Sequence, residues 1–367
     1  MNEENTVKIH KWLLPFAALY GTGVRLRNRL FDWEILSSEN FPVPVISVGN
    51  ITVGGTGKTP HTEYLIHLLS PKYKIAILSR GYKRKTKGFR IADDRSTSIE
   101  IGDEPFQMKR KFPNVVVAVD ANRRRGINKL LELYPDIEVI LLDDAFQHRY
   151  VTPSTSILLT DFNRLIYEDK LLPAGRLREP ISGKNRASIV IVTKCPKGIK
   201  PIDFRIITKH LQLFPYQRLY FSTFAYGEII PLFNGPERTL DSLSCHHNVL
   251  IVSGIASPET FEQKIKATCT HARSIAFGDH HNFTAKDIAY IKTISEKENE
   301  APVIIVTEKD AARLIHQKDI DERLRKSIYY LPLKVQFLQG QGIEFDHHIF
   351  DTVMKNSRNY IPRTTEK

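Results

Sequence analysis

The sequence predicts an α/β protein: a parallel sheet covered by helices on both faces, followed by a second, smaller α/β unit. Three observations predict it. Short, continuously apolar runs alternate with helical patterns from residue 43 onward, which is how parallel strands buried on both faces read. A Gly-x-Gly-Lys-Thr run follows the first of those strands and opens a helix. Apolar residues are 41% and charged residues 26% of 367. That is an ordinary globular balance, which excludes a disordered or fibrous chain, and at ~150 residues per domain the length makes two domains the expectation.

The first element is an amphipathic helix or helix pair over residues 8–35. Trp12, Leu13, Phe16, Leu19, Tyr20, Val24, Leu30 and Phe31 recur near helical spacing, Pro15 and the Gly21/Gly23 pair mark breaks, and Lys11, Arg25, Arg27 and Arg29 supply cations. Aromatics beside cations suit a helix lying in a lipid interface. A helix packed on its own domain gives the same pattern, and both readings stand at this point. No apolar run nears the ~20 residues that span a bilayer. Three arginines stand where a signal-peptide cleavage site would lie. The chain is read as unspanning and cytoplasmic.

Strands follow at 43–48, 74–79, 115–119, 138–142, 156–160 and 188–193, with a helix at 59–69. Residues 214–232 are rich in Tyr and Phe and read as paired antiparallel strands, a bridge between units. Strands at 249–252, 274–277 and 303–307 then alternate with helices at 258–267 and 285–297. The expected division is an N-terminal helix over 1–35, a nucleotide-binding unit over 36–213, a β-ribbon over 214–232, a C-terminal α/β unit over 233–356 and a tail over 357–367.

The strongest chemical signal is Thr52-Val53-Gly54-Gly55-Thr56-Gly57-Lys58-Thr59. Its glycines let backbone N–H groups turn inward around phosphates, Lys58 places a point charge on the β/γ-phosphates, and the Thr59 hydroxyl is a Mg²⁺ ligand. Thr52 stands where such loops usually carry their first glycine. The partner signal is the strand 139–142 ending in Asp143 and Asp144. An acid at the carboxyl edge of the sheet is where this class supports Mg²⁺, and strand alternation sends the two acids apart. Guanine-selecting loops carry an Asp after Thr-Lys-x; here the run is Thr193-Lys194-Cys195-Pro196, which favours ATP.

Other clusters stay open on spacing alone. Asp103, in Gly102-Asp103-Glu104-Pro105, is either a base for an acceptor hydroxyl or a helix cap, and spacing favours the cap. Arg123, in Asn122-Arg123-Arg124-Arg125, either neutralises phosphoryl charge or begins a basic helix. The loop 172–180 carries Arg176, Arg178 and Glu179, and either positions a sugar or phosphate or is a simple turn. Asp279-His280-His281 and Thr307-Glu308-Lys309-Asp310 are polar clusters without an assignment of their own. The net charge of +12 favours an anionic partner: phosphate, nucleic acid or membrane. Three cysteines, at 195, 245 and 269, offer neither a disulfide framework nor paired zinc spacing and point to a reducing compartment.

Taken together, these segments resemble the tetraacyldisaccharide 4′-kinase family, the lipid A 4′-kinases. The matching stretches are Pro44 to Asn50 running into the phosphate loop, Ser79-Arg80-Gly81-Tyr82, Gly102-Asp103-Glu104-Pro105, Asp143-Asp144-x-x-Gln147-His148, Leu172-Pro173-Ala174-Gly175 with Arg178-Glu179, Asp279-His280, and Thr307-Glu308-Lys309-Asp310. They keep order and spacing over about residues 10–335. Ala145-Phe146 stands where the family often has Gly-Leu. The resemblance implies transfer of phosphate from ATP, with Mg²⁺, to the 4′-hydroxyl of a tetraacylated glucosamine disaccharide 1-phosphate. It places that work at the cytoplasmic face of the inner membrane of a Gram-negative bacterium. It implies two α/β units joined by a ribbon, with the site between them, and a protein that meets anionic lipid through its N-terminal helix and needs no nucleic acid; a monomer is expected. It makes Asp103 the general base, Asp143 and Asp144 the acids of the metal strand, His280 a partner of Asp144 across the cleft, and Arg123, Arg178 and Glu179 nucleotide or phosphate contacts. The rivals are a P-loop GTPase or metal-insertion ATPase, with water as acceptor, and a nucleotide-dependent membrane adaptor.

Overall fold

The computed structural model describes residues 9–244, 248–255, 258–279, 281–296, 301–315, 317 and 319–357. Helix α1 (Leu14–Asp32) comes first, after a short 3₁₀ turn at Lys11–Leu13. Pro15 sits in its first turn, where a missing N–H costs nothing, and the helix runs unbroken through Gly21 and Gly23. The break expected there is absent, and Gly21 serves packing instead: a Cβ on it would lie 2.6 Å from Leu171 Cδ1.

The main sheet is built from β1 (Val45–Gly49), β2 (Ile75–Ser79), β3 (Arg90–Ile91), β4 (Val116–Val119), β5 (Val139–Asp143), β6 (Thr155–Asp161), β7 (Ile189–Thr193) and β8 (Arg218–Tyr226). Between them run α2 (Lys58–Leu69), α3 (Ser98–Ile101), α4 (Asp103–Lys111), α5 (Arg123–Leu133) and α6 (Pro201–Leu211). After β9 (Ile230–Pro231) come β10 (Val249–Ser253), α7 (Glu259–Lys266), β11 (Arg273–Ala276), α8 (Ala285–Ser295), β12 (Val303–Thr307), α9 (Glu308–Leu314), α10 (Glu322–Arg325), β13 (Ile328–Leu331), β14 (Leu333–Phe337) and α11 (Gly342–Ser357).

Among the described residues, nine strands form one sheet in the order β14-β8-β7-β6-β1-β5-β2-β4-β3, and five form a second in the order β11-β10-β12-β13-β9. Every pairing from β8 to β4 is parallel, and only the edges β14 and β3 run antiparallel. Strands β1, β2, β5 and β7 are buried along their whole length, which is why they read as continuous apolar runs.

The expected antiparallel pair within 214–232 is not formed. Strand β8 pairs with β7 on one side and with β14 on the other, so its antiparallel partner lies beyond the second sheet. Helix α11 then seats Phe345, Ile349 and Val353 in the same core as Leu65 and Ile66 of α2. The chain therefore leaves the first lobe through β8 and comes back to it through β14. The second lobe has its own cores on both faces of its sheet, around Val249, Ile251 and Phe261 on one and Val252, Ile288 and Val306 on the other.

Candidate active site

The phosphate loop leaves the carboxyl end of β1 and enters α2, near the middle of the large sheet. Gly57, the residue just before α2, sits at φ +86°, where only glycine is comfortable, and a Cβ there would lie 2.6 Å from Phe224 Cζ. The loop is braced by its neighbours. Asn50 Nδ2 donates to Thr56 Oγ1 at 2.7 Å and to Thr52 Oγ1 at 3.3 Å. Val53 N–H donates to the Arg176 carbonyl at 2.8 Å, and Arg178 N–H to the Ile51 carbonyl at 2.7 Å. Thr193 Oγ1 donates to the Thr56 carbonyl at 2.9 Å. Thr52, in the place of the usual first glycine, lies extended against Leu177 and needs no glycine conformation.

His61, one turn into α2, sits 2.7 Å from the Gly57 carbonyl through Nδ1 and 3.0 Å from Ser222 Oγ through Nε2. Burial lowers its pKa to about 4, against which the Gly57 contact works only partly. It is therefore neutral at pH 7. The carbonyl contact makes Nδ1 the donor, which leaves Nε2 to accept from Ser222.

The register Val48↔Asp143 puts the two acids beside the loop. Asp143 ends β5, fully buried, and accepts from Thr62 Oγ1 at 3.3 Å and Ser79 Oγ at 3.2 Å. Burial, then the charges of Glu104 and Asp144, push its pKa up to about 7. Asp144 turns away at φ +46°, a left-handed conformation that Asp tolerates better than most residues. Its Oδ1 lies 3.6 Å from Lys58 Nζ and 3.3 Å from Arg178 Nη2. Burial works to raise Asp144, but Lys58 and Arg178 outweigh it and hold its carboxyl below the usual range. Arg178 also donates to Asn50 Oδ1, so one guanidinium ties the loop brace to the acid. The loop, Lys58, Asp143, Asp144 and Arg178 thus meet at one edge.

Oxygen donors suit Mg²⁺, which takes few protein ligands and keeps water and phosphate oxygens. Thr59 and the acid pair fit that requirement. Asp143, buried among like charges, is a carboxylate that a cation would stabilise.

Other residues singled out in the sequence fall elsewhere. Arg123 is 2% exposed, and its guanidinium donates to the carbonyls of Asp120 at 2.7 Å and Asp143 at 3.1 Å. It supports the acid turn from behind. Glu179 is buried against Arg186 Nη2 at 2.7 Å and Asn28 Nδ2 at 3.5 Å, which ties α1 to the body. His280 lies outside the described residues. Asp103 is the first residue of α4, and its Oδ2 accepts from Arg313 Nε at 3.1 Å and Nη2 at 2.9 Å. That contact joins the lobes. Beside it Lys309 Nζ stands 3.9 Å from Glu104, and Lys111 Nζ bridges Glu63 at 2.6 Å and Glu308 at 2.9 Å. Sequence reasoning missed Asn50 as the loop brace and Arg313 altogether. The available signal for Arg313 was its place three residues after Asp310, on the same helical face.

Comparison with known proteins covers nearly the whole chain. A family model described as tetraacyldisaccharide-1-P 4′-kinase matches residues 9–352. Among curated relatives, the tetraacyldisaccharide 4′-kinase of Phocaeicola vulgatus is 55% identical over 361 residues, 97% of this chain and 99% of that one. That of Bacteroides fragilis is 54% identical over 363 residues, 97% and 96% of the two chains. That of Flavobacterium johnsoniae is 44% identical over 348 residues, 95% and 98% of the two chains. A crystal structure described as the "apo" form of LpxK from Aquifex aeolicus in complex with ATP superposes with a TM-score of 0.73 at 29% identity, covering 94% of this chain and 99% of that one. A match of this identity and extent shows that this chain belongs to the tetraacyldisaccharide-1-P 4′-kinase family.

Proposed function

We propose that this protein transfers the γ-phosphate of ATP to the 4′-hydroxyl of a tetraacylated glucosamine disaccharide 1-phosphate, a step of lipid A synthesis. The observation that carries the reading is the convergence of the 52–59 loop, Lys58 and the Asp143–Asp144 turn on one sheet edge, facing a second lobe whose Arg313 reaches Asp103.

Each group has a task that phosphoryl transfer requires. The loop's backbone N–H groups and the N-terminus of α2 hold the phosphates, with no charge to desolvate on the protein side. Lys58, at the mouth of that helix, meets the charge that develops between the β- and γ-phosphates. Its Nζ lies 3.6 Å from Asp144 Oδ1, which keeps the ammonium aimed across the loop. Arg178 steadies Asp144 and Asn50 together, and its Nε is buried without a partner among the described residues. Thr59 with Asp143 or Asp144 would hold Mg²⁺, which supplies charge neutralisation on the phosphate oxygens. Asp103, at the lobe boundary, takes the proton of the acceptor hydroxyl as the new P–O bond forms. Arg123 acts behind the site by fixing the carbonyls of the acid turn.

The acceptor's acyl chains require the enzyme to meet a bilayer, and α1 offers the means. Trp12 is 73%, Phe16 59% and Leu19 74% exposed, beside Lys11, Arg25 and Arg29. Exposed aromatics with cations are the composition of an interfacial helix. No described helix is long and apolar enough to cross a membrane. We read the protein as a monomer bound peripherally at the cytoplasmic face of the inner membrane.

The test is transfer of labelled γ-phosphate from ATP to a tetraacyl disaccharide 1-phosphate in mixed micelles. Wild type labels the lipid. Lys58→Ala and Asp103→Ala reduce the rate roughly 100- to 10,000-fold. Released phosphate without labelled lipid would move the protein to the hydrolase or adaptor class, and an active Asp103→Ala enzyme would remove the base assignment alone.

A further inference from the structure

We propose that the outer face of α6, with the groove beside it, is a second lipid-contact surface that docks on an anionic phospholipid bilayer alongside α1. The inference rests on the reading of this protein as peripherally bound to such a bilayer.

Helix α6 carries two apolar faces where packing needs one. Ile207 and Leu211 are buried in the core over β6, β7 and β8, with Phe204 packed against it. On the opposite side, one turn apart, Ile202 and Ile206 are 54% and 45% exposed. Arg205 and Lys209 complete that outer face, three and seven residues after Ile202. A single exposed isoleucine is ordinary. Two within one turn, framed by cations, repeat the composition of the outer face of α1. The charge of the segment is one-sided. Lys194, Lys197, Lys200, Arg205, Lys209 and Arg218 face a single acid, Asp203, over residues 194–218. Asp203 is half-buried at the helix start, where its Oδ2 accepts from the Lys200 N–H at 3.3 Å. Lys194 turns to Asp161 at 2.7 Å. Lys197, Lys200, Arg205 and Lys209 are exposed and meet no acid among the described residues.

Between α6 and β8 lies an open groove of ≈520 Å³. Phe204, Leu219 and Phe221 line it, the two rings edge-on at 4.6 Å, and the exposed Arg205 and Lys209 stand at its rim. An apolar floor beside two cations matches a phospholipid, whose chain and phosphate are joined in that order. The position also fits. Helix α1 leans through Gly21 on Leu171, and Leu171 packs on the same core as Ile207 and Leu211. Both helices therefore cover one side of the large sheet, the side that a bilayer meets through α1. A bilayer supplies an anionic surface with an apolar layer beneath it, which is what four unpaired cations around two isoleucines require.

The experiment floats full-length protein with vesicles of phosphatidylcholine, with and without phosphatidylglycerol. Wild type floats with the anionic vesicles. Ile202→Ser/Ile206→Ser and Arg205→Gln/Lys209→Gln each weaken that partitioning roughly 10-fold, the first by removing inserted apolar area and the second by removing two surface cations. Melting and ATP binding stay as in wild type, because all four positions are exposed. Lys264→Gln/Lys286→Gln takes the same charge from exposed positions of the second lobe and leaves partitioning within about twofold of wild type. An equal loss in that control makes the effect one of net charge and overturns the inference. A loss in the charge variant of α6 without one in its isoleucine variant also overturns it, since nothing then inserts. Partitioning of both α6 variants within about twofold of wild type, beside a Leu19→Glu protein that loses it, overturns the inference and leaves α1 as the contact. A wild type that does not float with anionic vesicles overturns the peripheral reading and this inference together.

Discussion

At the scale of single residues, His61 shows how the site's geometry is held by a group that does no chemistry. Its two ring nitrogens join the end of the phosphate loop to β8, and the neutral ring is the form that makes both bonds. Its folded pKa, about 4, lies below the ordinary 6.5. The unfolded chain therefore binds more protons between those values, and the stability that neutral His61 supplies is present above pH 6.5 and lost as pH falls toward 4. The full effect is on the order of 3 kcal/mol at most. His61→Gln keeps a donor for Gly57 but cannot titrate. Urea midpoints at pH 5, 6, 7 and 8 should show wild type losing ground to this variant on the acid side, and a gap constant with pH would sink the idea. Residue identities were legible in the sequence where main chain dictates the role, as in Gly57 and Lys58. Direction was not. Arg123 and Glu179 stand in motifs at the right edge, yet both turn inward, because side-chain direction is set by packing that a single sequence does not display.

Whole elements were legible in proportion to how local their signal is. The buried parallel strands carry their environment in their own composition, so each lies within a few residues of its expected place. Strand β14 does not. Its first four residues alternate between half-buried and exposed and only Phe337 is buried, and its partner β8 lies on the far side of an entire lobe in sequence. Helix α1 is the intermediate case. Its pattern fits both an interfacial and a packed helix, and the structure contains both faces. Ala17, Gly21 and Phe31 are buried on the body, with Phe31 edge-on to Tyr150 at 4.9 Å, while Trp12, Phe16 and Leu19 face out. The outward face carries the prediction. Leu19→Glu should leave melting and ATP binding unchanged, because a residue 74% exposed loses no packing. It should weaken flotation with anionic vesicles, since a charge replaces an inserted apolar side chain on a helix that binds through its apolar area and its cations. Equal flotation of the two proteins would return α1 to a purely packing role.

At the scale of the molecule, the returning segment makes the two lobes one folding problem. Helix α11 lies on the phosphate-loop helix. Phe345 is 1% exposed, stacks on Phe337 at 4.4 Å and meets Tyr64 and Tyr220 edge-on at 5.8 and 5.3 Å, while Tyr64 donates to Asp346 at 2.8 Å. Residues near the end of the described chain thus complete the core under its first binding motif. Truncating such a side chain removes its transfer energy and leaves a cavity in a rigid aromatic cluster, a cost of about 3–5 kcal/mol. Phe345→Ala should therefore destabilise the nucleotide-binding lobe itself. The two tryptophans, Trp12 and Trp33, both flank α1, so their fluorescence follows that end of the fold, while far-UV circular dichroism follows every helix and strand. In urea both signals should move to a lower midpoint together, as expected when one cooperative unit includes α1, α2 and α11. A change below 1 kcal/mol, or a circular dichroism transition that moves while tryptophan fluorescence stays, would mean that α11 covers the lobe without helping to hold it.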